Sequence, residues 1–301
     1  MLGKLLKYDL KSVGKYWWII MLVMLGLFGA AGVSFGSLQL LIEDIMPKIQ
    51  MDSSALGVAL SIALNLAQFF LFTTFAVSLV GVGACGITVS VLIYVRFFKH
   101  LFTDEGYLTF TLPVSRGQIF NAKVINAVIW TILTAIISAI GSSFMTIIMS
   151  LRSITLQSDF GAFVRFLSEI PFTQWLWFGV WTVIGLLISI AGYVLGPCAA
   201  YFCITLGATV FKRAKLIASI GIYLLMLVLS QLFTQAAAHF GIFYLIFSSM
   251  GIVDILSKAT ELGLNALVTA IMLIVLGVTA TLAAFFYSIT RNILERKLNL
   301  A

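Results

Sequence analysis

Six long stretches without Asp, Glu, Lys or Arg alternate with shorter polar stretches along the chain. A helix that crosses a bilayer needs about 20 predominantly apolar residues, and each stretch is long enough to provide them. The pattern therefore predicts an all-α integral membrane protein with six transmembrane helices. The predicted spans are Tyr16–Leu38, Gly57–Val95, Val124–Met149, Gln174–Phe211, Leu216–Gln235 and Asn265–Ile289.

Composition agrees with this prediction and excludes a soluble protein. The chain is 61% hydrophobic and only 10% charged, whereas soluble domains carry about 25% charged residues. A net charge of +7 would point to nucleic acid in a soluble protein. In a membrane protein it reflects the sorting of Lys and Arg toward the cytoplasm. We therefore expect one transmembrane domain over residues 1–301, embedded in a lipid bilayer, with no nucleic-acid partner.

The distribution of basic residues predicts that both termini lie in the cytoplasm. With that orientation, 14 of the 18 Lys and Arg residues fall on the cytoplasmic side. The remaining four, on the outer side, are Lys48, Arg152, Arg165 and Lys258. Cytoplasmic loops carry an excess of Lys and Arg, so this bias favours an N-in, C-in topology.

Residues 1–15 have the pattern of an amphipathic helix at the cytoplasmic membrane surface. Their lysines recur every three or four residues and form one stripe, while leucines fill much of the remainder. The stripe consists of Lys4, Lys7, Lys11 and Lys15. Ammonium groups in this arrangement bind anionic headgroups; the alternative is a solvated cationic tail that only sets orientation. Trp17 and Trp18, which follow, are typical of an interfacial aromatic belt.

The longest cytoplasmic connection is predicted at residues 96–123, between the second and third spans. We expect the second span to continue as a helix beyond Arg96 and to end near Gly106. Pro113 then fixes a turn. Ser115, followed three residues later by Gln118, has the pattern of a capping box that begins a new helix.

That new helix is predicted to be a short surface element over Arg116–Lys123, ahead of the third span. Three aromatic residues accompany it in the connection, at Tyr107, Phe110 and Phe120. Exposed aromatic rings in a cytoplasmic loop favour a docking surface for another protein.

Polar residues inside the spans are few. Gln231, Gln235 and His239 are four residues apart and share one helix face if the fifth helix continues past Gln235. They line a substrate path or, alternatively, form hydrogen bonds between helices. The same two interpretations apply to Asn65 and Gln68. An outer segment at 236–264 contains an apolar run too short to cross the bilayer, which predicts a re-entrant or interfacial element.

Catalytic and metal sites are not expected. The two histidines, His100 and His239, fall on opposite sides of the membrane in the predicted topology. No carboxylate lies within a predicted span to pair with either, so an intramembrane enzyme is disfavoured. The same lack of a buried acid weighs against an ion-coupled secondary transporter, although that class stays open as an alternative.

The connection after the second span carries a specific pattern. Glu105–Lys123 has the form E-G-Y-L-x-x-x-L-P-V-S-R-x-x-x-x-x-x-K. With the N-terminal amphipathic helix and six spans, this pattern resembles the permeases of ABC transporters of the type-2 exporter class. The resemblance covers the whole chain in layout and these 19 residues in detail.

The resemblance implies a coupling loop that sits in a groove of a separate cytoplasmic ATPase. Two permeases, identical or related, would pair with two ATPase subunits, and the N-terminal helix would also touch the ATPase. The implied coupling residues are Glu105, Tyr107, Leu112, Pro113, Ser115 and Arg116. A hairpin between the fifth and sixth spans of such permeases corresponds to residues 236–264.

ATP hydrolysis is expected on another chain. The sequence contains no G-x-x-x-x-G-K-[ST] phosphate loop, so ATP and Mg²⁺ would bind the partner ATPase and no cofactor would bind here. The resemblance implies export across a bacterial plasma membrane, and the uncharged spans favour an amphipathic or hydrophobic substrate such as a peptide antibiotic, a drug or a lipid. The alternative is a membrane scaffold or regulatory protein that recruits a different cytoplasmic partner.

Overall fold

The fold is helical. The computed structural model describes residues 2–49, 55–103, 106, 115–154, 161, 165, 168, 170–211, 214–247 and 261–297, and none of these residues forms a β-strand. Its elements in chain order are α1 (Leu2–Leu40), a π-helical turn (Leu41–Ile45), α2 (Met46–Ile49), α3 (Ala55–Phe102), α4 (Arg116–Ile154), α5 (Phe172–Val210), α6 (Lys215–Phe247) and α7 (Glu261–Lys297).

Six of these helices, α1 and α3 to α7, are long and apolar enough to cross a membrane. Each contains one of the six predicted spans or nearly all of it, so the prediction of an all-helical protein with six such helices is confirmed. This is the architecture of a multi-pass membrane protein. With 48 residues, α3 is about 72 Å long, more than twice the thickness of a hydrocarbon core.

The N-terminal residues do not form a helix of their own. α1 runs without interruption from Leu2 to Leu40, so the predicted surface helix at 1–15 is the beginning of the first long helix. The sequence has no proline before Pro47, and once a helix has formed each further residue adds a backbone hydrogen bond. The prediction of a separate element was wrong for this reason.

The start of the third long helix also differs from the prediction. Arg116–Lys123 was predicted as a separate surface helix, but α4 is continuous from Arg116 to Ile154. Phe120, predicted to be exposed, is only 1% exposed. These residues therefore form the first two turns of the long helix, and one side of them is part of the protein interior.

The fifth long helix is longer than predicted. α6 continues to Phe247, twelve residues beyond the predicted end at Gln235. It includes the apolar run that was predicted to be a re-entrant or interfacial element, so the first part of segment 236–264 is a continuation of α6. Residues 248–260 lie outside the described residues.

The chain divides into two compact units. Unit 1 comprises residues 1–6, 94–128 and 171–301, and unit 2 comprises residues 7–93 and 129–170. In unit 1, α5 packs against both α6 and α7. Trp181 on α5 donates a hydrogen bond to Oγ1 of Thr269 on α7 (3.1 Å), and the rings of Phe202 and Phe286 lie 5.2 Å apart.

In unit 2, α1 packs against α4 through tryptophan side chains and a glycine. Trp17 is 2% exposed, and its indole N–H donates to Oγ1 of Thr134 at 2.9 Å. Its ring lies 4.8 Å from that of Trp130. Trp17 is therefore a packing residue of unit 2, whereas Trp18 is exposed. Their predicted place at the membrane interface stays a prediction. A Cβ on Gly141 would overlap the ring of Phe28, so glycine permits α1 and α4 to approach closely.

Candidate functional site

The start of α4 and the end of α3 flank the predicted coupling loop. α3 ends at Phe102, and the N–H of Gly106 donates to the carbonyl of Thr103 at 2.8 Å. On the other flank, the carbonyl of Ser115 accepts from the N–H groups of Gln118 (2.9 Å) and Ile119 (3.2 Å). Ser115 Oγ also accepts from Gln118 N at 3.4 Å. Ser115 is the N-cap of α4, as its sequence position predicted.

A buried lysine connects the two helix ends that flank the loop. Lys123 on α4 is only 6% exposed, and its Nζ lies 3.0 Å from Nδ1 of His100 on α3. A lysine ammonium has donors and no acceptor, so Nδ1 is the acceptor when the ammonium is charged. Burial of an ammonium is costly unless it is hydrogen-bonded. The pair therefore joins the last turns of α3 to the first turns of α4 with a specific polar contact.

Tyr201 of α5 packs into the same place. It is 1% exposed and its ring stacks on Phe97 of α3, with the centroids 3.8 Å apart and an angle of 15° between the planes. Its hydroxyl donates to the carbonyl of Lys123 at 3.4 Å, and its ring meets Phe120 edge-on at 6.4 Å. A single α5 side chain thus contacts both helices that flank the loop.

The end of α7 completes the arrangement. The hydroxyl of Tyr287 donates to Oδ1 of Asn121 at 2.6 Å, and its ring lies 5.4 Å from Phe120. We call Phe97, His100, Phe120, Asn121, Lys123, Tyr201 and Tyr287 the junction cluster. One and two turns further along α7, Arg291 and Glu295 form an ion pair at 2.9 Å beside the first turn of α4.

Unit 1 also carries buried polar atoms without a hydrogen-bond partner in the described part of the chain. They are Nε of Arg96, Oδ1 of Asn126 and Oγ1 of Thr205. Thr205 lies one turn after Tyr201, and Asn126 lies three residues after Lys123. Each such group costs about 1–3 kcal/mol when it is left unsatisfied. Packing alone would favour apolar residues at these positions, so their polarity marks this end of unit 1 as a candidate functional site.

The structure places part of the predicted coupling loop. Ser115 and Arg116 are exposed at the start of α4. Glu105, Tyr107, Leu112 and Pro113 lie outside the described residues, so their role stays a prediction.

Three of the predicted membrane-surface lysines are described. Lys7, Lys11 and Lys15 are all exposed along α1. Val13 and Trp17, on the same helix, are buried. Lys4 lies within α1, but its side chain is outside the described residues. The helix is therefore amphipathic at its N-terminal end, although it is continuous with the first long helix.

The predicted polar strip falls on one helix. α6 continues through residues 231, 235 and 239, so Gln231, Gln235 and His239 share one face of it. Gln231 and Gln235 are exposed, and the side chain of His239 is outside the described residues. Asn65 is exposed and Gln68 half-buried on α3, in unit 2. The structure thus groups the α6 residues and leaves Asn65 and Gln68 in the other unit.

Sequence reasoning missed most of the junction cluster. The one available signal was the spacing of Phe120, Lys123, Ala127 and Trp130, three or four residues apart, which defines a buried helix face with Lys123 on it. The partners Tyr201 and Tyr287 come from distant helices, and no local pattern indicates them.

Two further findings bear on chemistry. The described residues contain no group of three or more His, Cys, Asp or Glu side chains placed to hold a metal ion. Cys85, Cys198 and Cys203 are all free thiols, and the latter two are buried.

Comparison of the chain with protein-family models, curated proteins and solved structures finds no match.

Proposed function

We propose that this chain is the membrane-spanning subunit of an ATP-driven exporter. Both termini and the loop between α3 and α4 face the cytoplasm. Two such subunits, identical or related, form the translocation path. A cytoplasmic ATPase docks on the loop within residues 96–123, and its ATP-driven closure moves the helices. The docking residues are Glu105, Tyr107, Leu112, Pro113, Ser115 and Arg116. The substrate is an amphipathic or hydrophobic molecule.

The observation that supports this proposal most is the anchoring of the loop. A loop that receives a push from another protein transmits it only if its ends are attached to rigid structure. Here the second flank begins at the Ser115 cap and runs into the buried Phe120 and Lys123. The His100–Lys123 contact joins that flank to the first one. Caps are common at helix starts, so it is the buried His100–Lys123 contact between the two flanks that supports a loop with firmly attached ends.

Other features agree with the proposal. The exposed lysines of α1 are suited to anionic headgroups on the side where Lys and Arg concentrate. The exposed glutamines of α6 provide polar groups on a largely apolar helix, as an amphipathic substrate requires. The sequence lacks a phosphate-binding loop, and the proposal accordingly has ATP and Mg²⁺ bind the partner chain.

Co-purification tests the proposal. The full chain is extracted from its native membrane in mild detergent, the retained proteins are identified, and ATP hydrolysis is measured. The variant combines Pro113→Ala with Arg116→Glu, which alters the predicted turn and reverses the charge at the start of α4. The matched control is Arg165→Glu, an exposed arginine on the predicted outer side.

We expect a retained subunit with a phosphate-binding loop, whose binding or ATP hydrolysis falls in the double variant and not in the control. If no nucleotide-binding chain is retained, even after crosslinking at the loop, the exporter proposal is wrong. Retention of a different cytoplasmic protein would then favour the scaffold alternative.

A further inference from the structure

The Asn121–Tyr287 hydrogen bond has no assigned role in the loop pattern. Asn121 occupies one of its variable positions, and Tyr287 lies 166 residues away near the end of α7. Their 2.6 Å contact is shorter than the contacts of Lys123 with His100 (3.0 Å) and with Tyr201 (3.4 Å), which also join the start of α4 to other helices. Phe120 packs on the same tyrosine ring at 5.4 Å.

Three pairwise contacts close a triangle of helices in unit 1. α4 contacts α5 through the hydrogen bond from Tyr201 to the carbonyl of Lys123. α4 contacts α7 through Asn121 and Tyr287. α5 contacts α7 along their length, including the rings of Phe202 and Phe286 at 5.2 Å. Because each helix is held by the other two, none of them rotates at this end without breaking a contact.

The first turn of α4 also packs closely against α7. A Cβ on Gly117 would lie 2.8 Å from Oε1 of Glu295, so the α4 backbone approaches the ion pair of Arg291 and Glu295 closely. Tyr287, Arg291 and Glu295 follow one another at intervals of four on one face of α7. Two turns of α4 therefore lie along the last turns of α7, immediately after the loop.

We infer that Asn121 and Tyr287 are positioning residues that lock the loop-bearing end of α4 to α7, so that residues 116–128 of α4 move as one block with α5 and α7 when the loop is pushed. This inference rests on the proposed function for the origin of the push. The block itself is a property of unit 1 and is measurable without any partner.

The experiment measures one distance in the purified full chain in lipid nanodiscs. Spin labels are placed on cysteines introduced at Gln118 on α4 and Asn292 on α7, both exposed, in a Cys85→Ala background. The distance distribution is recorded by electron paramagnetic resonance with and without Mg-ATP and the co-purified ATPase. The variants are Tyr287→Phe, which removes one hydroxyl, and Asn121→Ala. Tyr223→Phe is the matched control, because it removes a hydroxyl in the same unit from a tyrosine whose ring packs on Tyr94 rather than on Phe120.

We expect a narrow distribution in the native chain that Mg-ATP leaves unchanged. In Tyr287→Phe and Asn121→Ala the distance distribution should widen and change when Mg-ATP is added. In the Tyr223→Phe control it should match that of the native chain. Hydrogen exchange at the start of α4 should become roughly threefold faster in either variant, the size expected for one lost hydrogen bond in a membrane protein. The double variant should exchange no faster than Tyr287→Phe, since that change already removes the contact with Asn121 together with the contact of the hydroxyl with Arg291.

A native distance that already changes with Mg-ATP, or variants indistinguishable from native, would overturn the inference while a retained ATPase still supports the exporter. If no ATPase is retained, the exporter proposal fails, and the nucleotide-free distributions alone decide whether the block exists.

Discussion

The two units of this protein differ in how many polar contacts join their helices. Unit 2 packs rings against rings and a glycine against a side chain, as with Trp17 on Trp130 and Phe28 at Gly141, and it has the hydrogen bond from Trp17 to Thr134 and an unsatisfied Nε1 on Trp130. Unit 1 combines stacked rings with several polar contacts among four helices, and leaves Arg96, Asn126 and Thr205 with an unsatisfied polar atom. Packing and interhelical hydrogen bonds both hold helices together in a membrane. The larger number of polar groups in unit 1, beside the loop, is what connects this unit to the proposed coupling.

If this contrast is functional, substitutions in the two units should affect stability and the ATP hydrolysis of a partner differently. Changes in unit 2 should lower stability and leave the ATP hydrolysis of any retained partner unchanged per folded molecule. Changes in the junction cluster should lower both, or coupling alone. Four substitutions test this difference, from the largest expected effect on the free energy of unfolding to the smallest, with comparable effects expected for the two in between.

The largest effect is expected for Tyr201→Ala. Removing a fully buried aromatic side chain leaves a cavity between α3, α4 and α5, and large-to-small changes of this kind cost about 3–5 kcal/mol. Thermal unfolding of the purified protein measures the loss. Tyr201→Phe keeps the stack on Phe97 and removes only the 3.4 Å hydrogen bond, so it should cost about 0.6 kcal/mol. Equal stability of the alanine variant and native protein would contradict the packing role.

Next is Gly141→Ala in unit 2. The added methyl group would overlap the Phe28 ring, and overpacking of this kind costs about 1–3 kcal/mol. Gly29→Ala is the matched control, because no heavy atom of a neighbour lies within 4 Å of its Cβ position. There the better helix propensity of alanine should make the change neutral or stabilising. When both variants are measured side by side, the unfolding temperature should therefore fall for Gly141→Ala and stay the same or rise for Gly29→Ala.

A comparable loss of stability, with a larger effect on coupling, is expected for Lys123→Met. Methionine keeps an apolar chain of similar length and removes the ammonium that lies 3.0 Å from His100. Hydrogen bonds to charged groups contribute about 1.5–3 kcal/mol. Lys99→Met serves as the control, since Lys99 is exposed one residue before His100. If both variants support the same partner ATP hydrolysis per folded molecule, the junction cluster has no part in coupling.

The smallest effect is expected for Trp17→Phe. This change keeps an aromatic ring beside Trp130 and removes the 2.9 Å hydrogen bond to Thr134. Interhelical hydrogen bonds in membrane proteins average about 0.6 kcal/mol. Trp18→Phe, at an exposed position, should leave the unfolding temperature unchanged. A fall in partner ATP hydrolysis with Trp17→Phe would show that unit 2 is not purely structural.

The sequence alone determined the helices. Hydrophobic length located all six long helices, and the Ser115 cap located the start of α4. These features are local, because a helix satisfies its own backbone hydrogen bonds within a few residues. Helix ends were predicted less well. Nothing in the sequence stops α1 after Lys15 or α6 after Gln235, so both helices continue.

Only the tertiary structure decided which helix faces meet. Lipid tails are as apolar as leucine, so hydropathy does not distinguish a face that packs on protein from one that faces lipid. Trp17 and Phe120 were therefore assigned to the surface, although both are buried. Likewise Asn121 and Tyr287, 166 residues apart, become partners only when α4 lies beside α7. The pairing of faces depends on the shapes of two distant segments together, and neither segment carries that information alone.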